Sequence, residues 1–295
     1  MASHPLYGHG LALAGALIIA PDTLFMRLSG FGGVEMMAWR GLLMCGVLLS
    51  AWALVGGDRR RDLAELSRRA GLLAIACQSV NAIVFVLAIS LAPVAVVLFA
   101  VATVPVWSAI LGAVFLGDRM GRATTLTSIV VLAGIALSVF GGGDSREGGG
   151  GDPVIGAILG LVVALALAGS FTTYRANPGL PILLTVGIGA GISGALGFAL
   201  SDSLAASGGR IAAIAVTGAV ILPASFLLLS MATRFTSGAN VSLFLLLETV
   251  LGPVFVWMGT GEAVALLGLI GGAIVIVALA IYLWHERRSS RRSST

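Results

Sequence analysis

Three charged residues, Asp22, Arg40 and Glu248, each interrupt a long apolar stretch of this sequence. A charge in apolar surroundings is costly unless it is paired or used, so each needs a partner or a function. Among the acidic residues, Glu248 lies nearest the middle of its apolar stretch. It is predicted to be a substrate or proton site, or else a structural carboxyl. Asp22 could bind a substrate ammonium or pair with Arg40 or Arg27. For Arg40, a salt bridge or a side chain that extends to the membrane surface is favoured.

A second group of polar residues offers hydrogen bonds rather than charge. Gln78 and Asn81 are three positions apart, so they share one face of a helix, with Ser79 beside them. Their amides suit a zwitterion, because carbonyl oxygens accept from an ammonium and N–H groups donate to a carboxylate. The alternative is that they hold neighbouring helices together. The other candidates for a binding cavity are Trp107, Asn240 and Ser242.

Two prolines fall inside predicted helices near these residues. Pro21 precedes Asp22, and Pro105 lies two positions before Trp107. A proline cannot donate to the carbonyl four residues back, so it opens a helix locally. We therefore predict that Pro21 and Pro105 are structural or hinge positions, together with Arg40.

Composition indicates the environment of these residues. Hydrophobic residues make up 58% of the 295-residue chain and charged residues only 10%, and the mean hydropathy is +1.06. Soluble domains carry about 25% charged residues, so this chain is expected to fold with lipid as its solvent. The fold class predicted is an all-α integral membrane protein.

Ten apolar stretches are long enough to cross a membrane, at about 20 residues each. They are 10–28, 34–55, 70–90, 93–116, 123–141, 154–174, 181–202, 210–230, 237–258 and 262–284. With the N-terminus placed in the cytoplasm, most of the 17 basic residues, all of them arginines, fall in cytoplasmic segments. Both termini are therefore predicted to be cytoplasmic. Because the arginines are interpreted as setting this topology, nucleic acid is not an expected partner.

A glycine-rich stretch divides the chain into two halves. Residues 1–141 would form the first five-helix repeat, residues 142–153 an outer linker, and residues 154–295 the second repeat with a basic cytoplasmic tail. An odd number of helices in each half means that the halves enter the membrane in opposite directions. This inverted arrangement is typical of many secondary transporters.

Short motifs at the end of each half resemble the EamA repeat of the drug/metabolite transporter superfamily. Residues 105–106 read Pro-Val and residues 116–118 read Leu-Gly-Asp, while residues 248–250 read Glu-Thr-Val and residues 261–262 read Gly-Glu. In that family a repeat commonly ends with Pro-Val and then Leu-Gly-Glu, and the second repeat often has Glu-Pro-Val.

This sequence departs from the family pattern at Asp118, where glutamate is usual, and at Thr249, where a proline is expected. Arg40 matches an arginine that the family has in its second helix. The resemblance covers nearly the whole chain and implies two inverted five-helix repeats. Within the superfamily, the chain looks most like the YddG-like exporters of aromatic and other amino acids.

The resemblance implies a secondary transporter in the bacterial inner membrane, with an amino acid or related metabolite and membrane lipid as its partners. A multidrug or cation exporter is the alternative, and a membrane-embedded enzyme or scaffold is a rival from another class. No phosphate-binding GxxxxGK[ST] or hydrolase motif is present, so an enzyme is not expected. No metal site or cofactor is expected, and the sequence leaves open whether the protein is a monomer or a dimer.

Overall fold

A computed structural model describes residues 5–55, 57–117, 151–201 and 208–261, with single helical positions at 126–133 and 270–284. These parts of the chain are helical and contain no strand. The helices of the first half are α1 (Pro5–Ile19), α2 (Asp22–Ser29), α3 (Gly33–Val55), α4 (Arg59–Leu66), α5 (Arg69–Leu91), α6 (Val94–Val101) and α7 (Val104–Leu116). Those of the second half are α8 (Pro153–Ala176), α9 (Ile182–Leu200), α10 (Gly208–Ala215), α11 (Leu222–Ala232) and α12 (Gly238–Thr260).

Eight described segments are long and apolar enough to cross a membrane. They are α1 with α2, α3, α5, α6 with α7, α8, α9, α10 with α11, and α12. Eight of the ten predicted spans thus coincide with helices that are long and apolar enough to cross a membrane. The fifth and tenth, at 123–141 and 262–284, lie largely outside the described residues, as does the linker at 142–153.

Polar caps define where several helices begin. The Asp152 carboxylate accepts hydrogen bonds from the backbone N–H groups of Val154 and Ile155, and Pro153 occupies the first turn of α8. Ser237 caps α12 by accepting from the N–H of Asn240 at 3.2 Å. These side chains satisfy N–H groups that have no partner within the helix, which is more important in an apolar environment than in water.

Three interruptions break the regular helices near the middle of the bundle. The first separates α1 from α2 at Pro21, as predicted. The second separates α6 from α7, because Pro105 cannot donate to the carbonyl of Val101, where α6 ends. The third is a turn of π-helix, Val216–Ile221, between α10 and α11.

Each half of the chain packs mainly against the other half. α3 lies along α9, α5 along α8, α1 along α11, and α12 lies against α1, α2 and α7. α8 also contacts both α6 and α7. The core of the bundle is therefore an interface between the two halves rather than two separate cores.

Candidate functional site

A cavity of about 770 Å³, including its opening, lies at the centre of this interface. All eight membrane-spanning segments contribute to its lining, which is mostly apolar and includes the rings of Phe85, Phe171 and Phe226. The polar side chains on its wall are those of Asp22, Arg40, Gln78, Asn81, Ser193 and Glu248. Small-molecule sites commonly combine apolar walls with a few polar groups in this way.

A buried ion pair joins two of the cavity residues. The Arg40 Nη2 atom donates to Asp22 Oδ2 at 2.8 Å, and the two residues are 4% and 0% exposed. The break at Pro21 places Asp22 in the first turn of α2, where the positive end of the helix dipole favours a carboxylate. Of the alternatives for Asp22, the structure contains the pair with Arg40.

The pair does not use all the hydrogen-bonding capacity of its members. Asp22 Oδ1 and the Arg40 Nε and Nη1 atoms are buried and have no hydrogen-bond partner among the described residues. Both residues line the cavity. The pair that borders the cavity therefore keeps one unused acceptor oxygen and two unused donor nitrogens, all three buried.

Glu248 adds a second carboxyl group to the same wall. It lies in the middle of α12, is 6% exposed, and lines the same cavity as Asp22 and Arg40. The consecutive helices α2 and α3 and the distant helix α12 thus bring two carboxyl groups and one guanidinium to one cavity.

Gln78 and Asn81 are the remaining hydrogen-bonding residues of α5 that face the cavity. The Gln78 Nε2 atom donates to the Tyr174 hydroxyl at 3.5 Å, which is long for a hydrogen bond. The Tyr174 hydroxyl also lies 3.0 Å from Thr185 Oγ1. This chain of contacts joins α5, α8 and α9 across the two halves and orients the Gln78 amide.

Comparison with known protein families now identifies the first half of the chain. The model of the EamA-like transporter family matches residues 6–140. Residues 6–140 are an EamA-like transporter domain. This domain belongs to the drug/metabolite transporter superfamily, and it carries four of the six polar cavity residues.

A solved structure extends the likeness beyond the EamA-like domain. It is described only as a crystal structure of a protein and matches with a TM-score of 0.72, covering 95% of this chain and 98% of its own. The sequences are 17% identical, so this likeness shows the fold alone. Comparison with the curated proteins found no match. The protein is therefore a multi-pass membrane protein with an EamA-like domain, and its substrate has to be inferred from the site.

Four of the predicted site residues do not line the central cavity. The Ser79 hydroxyl donates to the Ile75 carbonyl within its own helix, and Ser242 does the same to Ala239. The Asn240 Nδ2 atom donates to Thr236 Oγ1 near the start of α12, and Trp107 packs at the margin of the buried core. The structure thus gives these four residues local or packing contacts.

The EamA-like domain and the second half also contribute cavity residues that the sequence did not single out. Phe85, Phe171, Phe226 and Ser193 belong to this group. Phenylalanine is common in any membrane helix, so its presence carries no signal until the inward face of the helix is known. Among the described residues, no group of three metal-binding side chains occurs, and no metal ligands are proposed.

Proposed function

We propose that this protein is a secondary transporter that exports amino acids, including aromatic ones, across the bacterial inner membrane. The observation that carries the proposal is the central cavity, which combines aromatic walls with a small set of buried acidic, basic and amide groups. An amino acid presents the same combination, an apolar side chain beside a zwitterionic head. The resemblance to YddG-like exporters points to the same class of substrate.

Alternating access is the transport mechanism that this architecture supports best. In two inverted repeats, α1 with α2 would correspond to α8, α3 to α9, α5 to α10 with α11, and α6 with α7 to α12. The contact between α5 and α8 then has the contact between α11 and α1 as its counterpart. The α3–α9 contact and the α7–α12 contact each correspond to themselves. Gly117 and Gly261, 144 positions apart, both end their helices in the left-handed conformation, with φ of 69° and 74°. These regularities support two inverted repeats, so that rocking one half against the other would open the central cavity to each side in turn.

The arginine distribution supports cytoplasmic termini in this proposal. Arg59, Arg60 and Arg61 begin the surface helix α4. Arg175 lies in the last turn of α8 and Arg234 follows α11, at the same end of the bundle. The chain contains no recognisable nucleotide-binding motif, so transport would run downhill or be coupled to an ion gradient.

Uptake of labelled amino acids by proteoliposomes tests this function. The purified protein is expected to give saturable uptake that other amino acids inhibit, measured with and without a pH gradient and compared with empty liposomes. A dependence on the gradient would identify proton coupling. Folded protein that takes up aromatic amines but no amino acid would contradict the proposal and support the cation-exporter alternative.

Replacing Gln78 or Asn81 with alanine is expected to reduce amino acid uptake by about tenfold or more, because each change removes a hydrogen bond to a charged ligand group. The measurement is the initial rate against substrate concentration, with the amount of folded protein determined by size-exclusion chromatography in detergent. Ser79→Ala is the matched control, because Ser79 lies on the same helix but bonds only to the Ile75 carbonyl. Uptake unchanged in both cavity variants would remove these amides from the binding site.

A further inference from the structure

We propose that Asp22, Arg40 and Glu248 form one subsite that binds the ammonium and carboxylate groups of a single amino acid. This inference rests on the amino acid export proposed above and assigns the head of the substrate to particular atoms. It adds a role for the ion pair, which by itself would account only for stability.

The charges of the three groups are the first argument. The Asp22–Arg40 pair is neutral as a unit, and Glu248 lines the same cavity as both of its members. Among the described residues that line the cavity there are two carboxyl groups and one guanidinium, so one acid has no basic partner there. An ammonium group bound beside Glu248 would supply that partner.

The free hydrogen-bonding atoms are the second argument. Arg40 Nε and Nη1 are donors without partners among the described residues, and the guanidinium fork matches the geometry of a carboxylate. Asp22 Oδ1 is an unused acceptor on the other member of the pair, and both members line the cavity. The subsite thus offers donors for one end of a zwitterion and acceptors for the other, whereas a simple cation site would need only acceptors.

The backbone holds these groups in place, which is the third argument. Gly41, next to Arg40, lies against the backbone of Gly194 in α9. On another side, a Cβ atom added to Gly218 in the π-helical turn would lie 3.2 Å from the Arg40 Cα atom. Pro21 fixes the start of α2 at Asp22. Binding groups supported by rigid, closely packed elements are the ones that recognise a ligand with precision.

The apolar part of the cavity completes the assignment. Phe171 and Phe226 line the same space as the three charged residues. With the head of an amino acid at the charged subsite, its side chain would contact these rings. The lining is mostly apolar, so the side chains accepted should be apolar or aromatic rather than strongly polar.

Three probes that share a phenyl group separate the two ends of the subsite. Unlabelled L-phenylalanine, phenethylamine and 3-phenylpropanoate would compete with labelled L-phenylalanine for uptake into proteoliposomes. The amine lacks the carboxylate and the acid lacks the ammonium. In the wild-type protein, L-phenylalanine is expected to inhibit at the lowest concentration, by at least about tenfold over either fragment, because only it satisfies both ends.

Two conservative variants should then change inhibition by phenethylamine and by 3-phenylpropanoate in opposite ways. Arg40→Lys keeps the charge that pairs with Asp22 but removes the fork, so inhibition by L-phenylalanine and 3-phenylpropanoate should weaken about tenfold while phenethylamine is unchanged. Glu248→Gln should weaken inhibition by L-phenylalanine and phenethylamine, while inhibition by 3-phenylpropanoate should be unchanged or stronger. Loss of stability alone would affect inhibition by all three probes equally.

Thr249→Val is the control, because the Thr249 hydroxyl bonds to the Leu246 carbonyl and does not line the cavity. This variant should leave inhibition by all three probes unchanged. If the wild type takes up L-phenylalanine but both variants keep its probe pattern, the subsite is wrong and the export function stands. If folded wild-type protein takes up no amino acid, the proposed function fails and the subsite assignment falls with it.

Discussion

Replacing Gly41 with leucine is expected to prevent most of the protein from folding in the membrane. A Cβ atom at Gly41 would lie 2.6 Å from the carbonyl oxygen of Ala190 and would also meet the backbone of Gly194. No flexible side chain can move aside there, because the obstacle is the backbone of α9. The two helices would have to separate along the interface between the two halves.

The same close approach recurs along the α3–α9 contact. A Cβ atom at Gly194 would lie 2.8 Å from the Gly41 carbonyl carbon, and one at Gly197 would lie 2.9 Å from the Val34 carbonyl oxygen. Small residues that let backbones touch are a main source of helix association in lipid, where no hydrophobic effect drives helices together. This contact should therefore contribute strongly to the stability of the bundle.

Gly46→Leu is the matched control for this prediction. Gly46 lies on the same helix, five residues further along, and a Cβ atom there would meet nothing within 4 Å. The yield of folded protein and its melting temperature in detergent measure the difference. Overpacking costs typically about 1–3 kcal/mol and more where backbone must move, so Gly41→Leu should lower the melting temperature by about 5 °C or more. Equal behaviour of the two variants would contradict this account of the contact.

The spans could be predicted from sequence because lipid imposes a simple requirement of about 20 apolar residues. The break at Pro21 could also be predicted, since proline removes a specific hydrogen bond. The π-helical turn before Pro223 could not, because its sequence, VTGAVI, is as compatible with a regular helix. Its position depends on packing against α3 at Arg40, which no local pattern encodes.

The charged part of the site could be predicted for a related reason. Asp22, Arg40 and Glu248 stand out because a charge in an apolar helix needs an explanation. Ser242 and Asn240 stood out equally but lie near the start of α12, where the Ser242 hydroxyl donates to Ala239 and the Asn240 Nδ2 atom donates to Thr236. These helices are apolar on all faces, so their sequence does not say which residues point inward. The aromatic walls therefore emerged only from the packing of the two halves.

Removing only one member of the Asp22–Arg40 pair is expected to be the second most damaging change. Arg40→Met would leave the Asp22 carboxylate fully buried without its partner. Breaking a buried ion pair in this way costs about 3–5 kcal/mol, whereas replacing both charges together is often close to neutral. Arg40→Met should therefore lose most of its folded protein, and adding Asp22→Asn to it should restore much of that loss.

An exposed ion pair with the same separation provides the control. Arg68 Nη1 lies 2.8 Å from Glu65 Oε1 on the surface, as close as the atoms of the buried pair, but the Arg68 side chain is 70% exposed. Exposed pairs contribute about 0–1 kcal/mol, so Arg68→Met should change the melting temperature little. The comparison tests burial as the cause, because each pair joins an arginine to a carboxylate at the same distance.

The double variant also separates stability from transport. If the pair serves only to hold α2 against α3, the refolded Asp22→Asn, Arg40→Met protein should transport amino acids at close to the wild-type rate. If the pair is also part of the binding site, this protein should be folded and inactive, since it has lost the guanidinium donors and one carboxylate from the cavity wall. We expect folded and inactive protein, measured as uptake per amount of monodisperse protein. A double variant that fails to regain folded protein would contradict the argument that the unpaired charge, rather than lost packing, causes the damage in Arg40→Met.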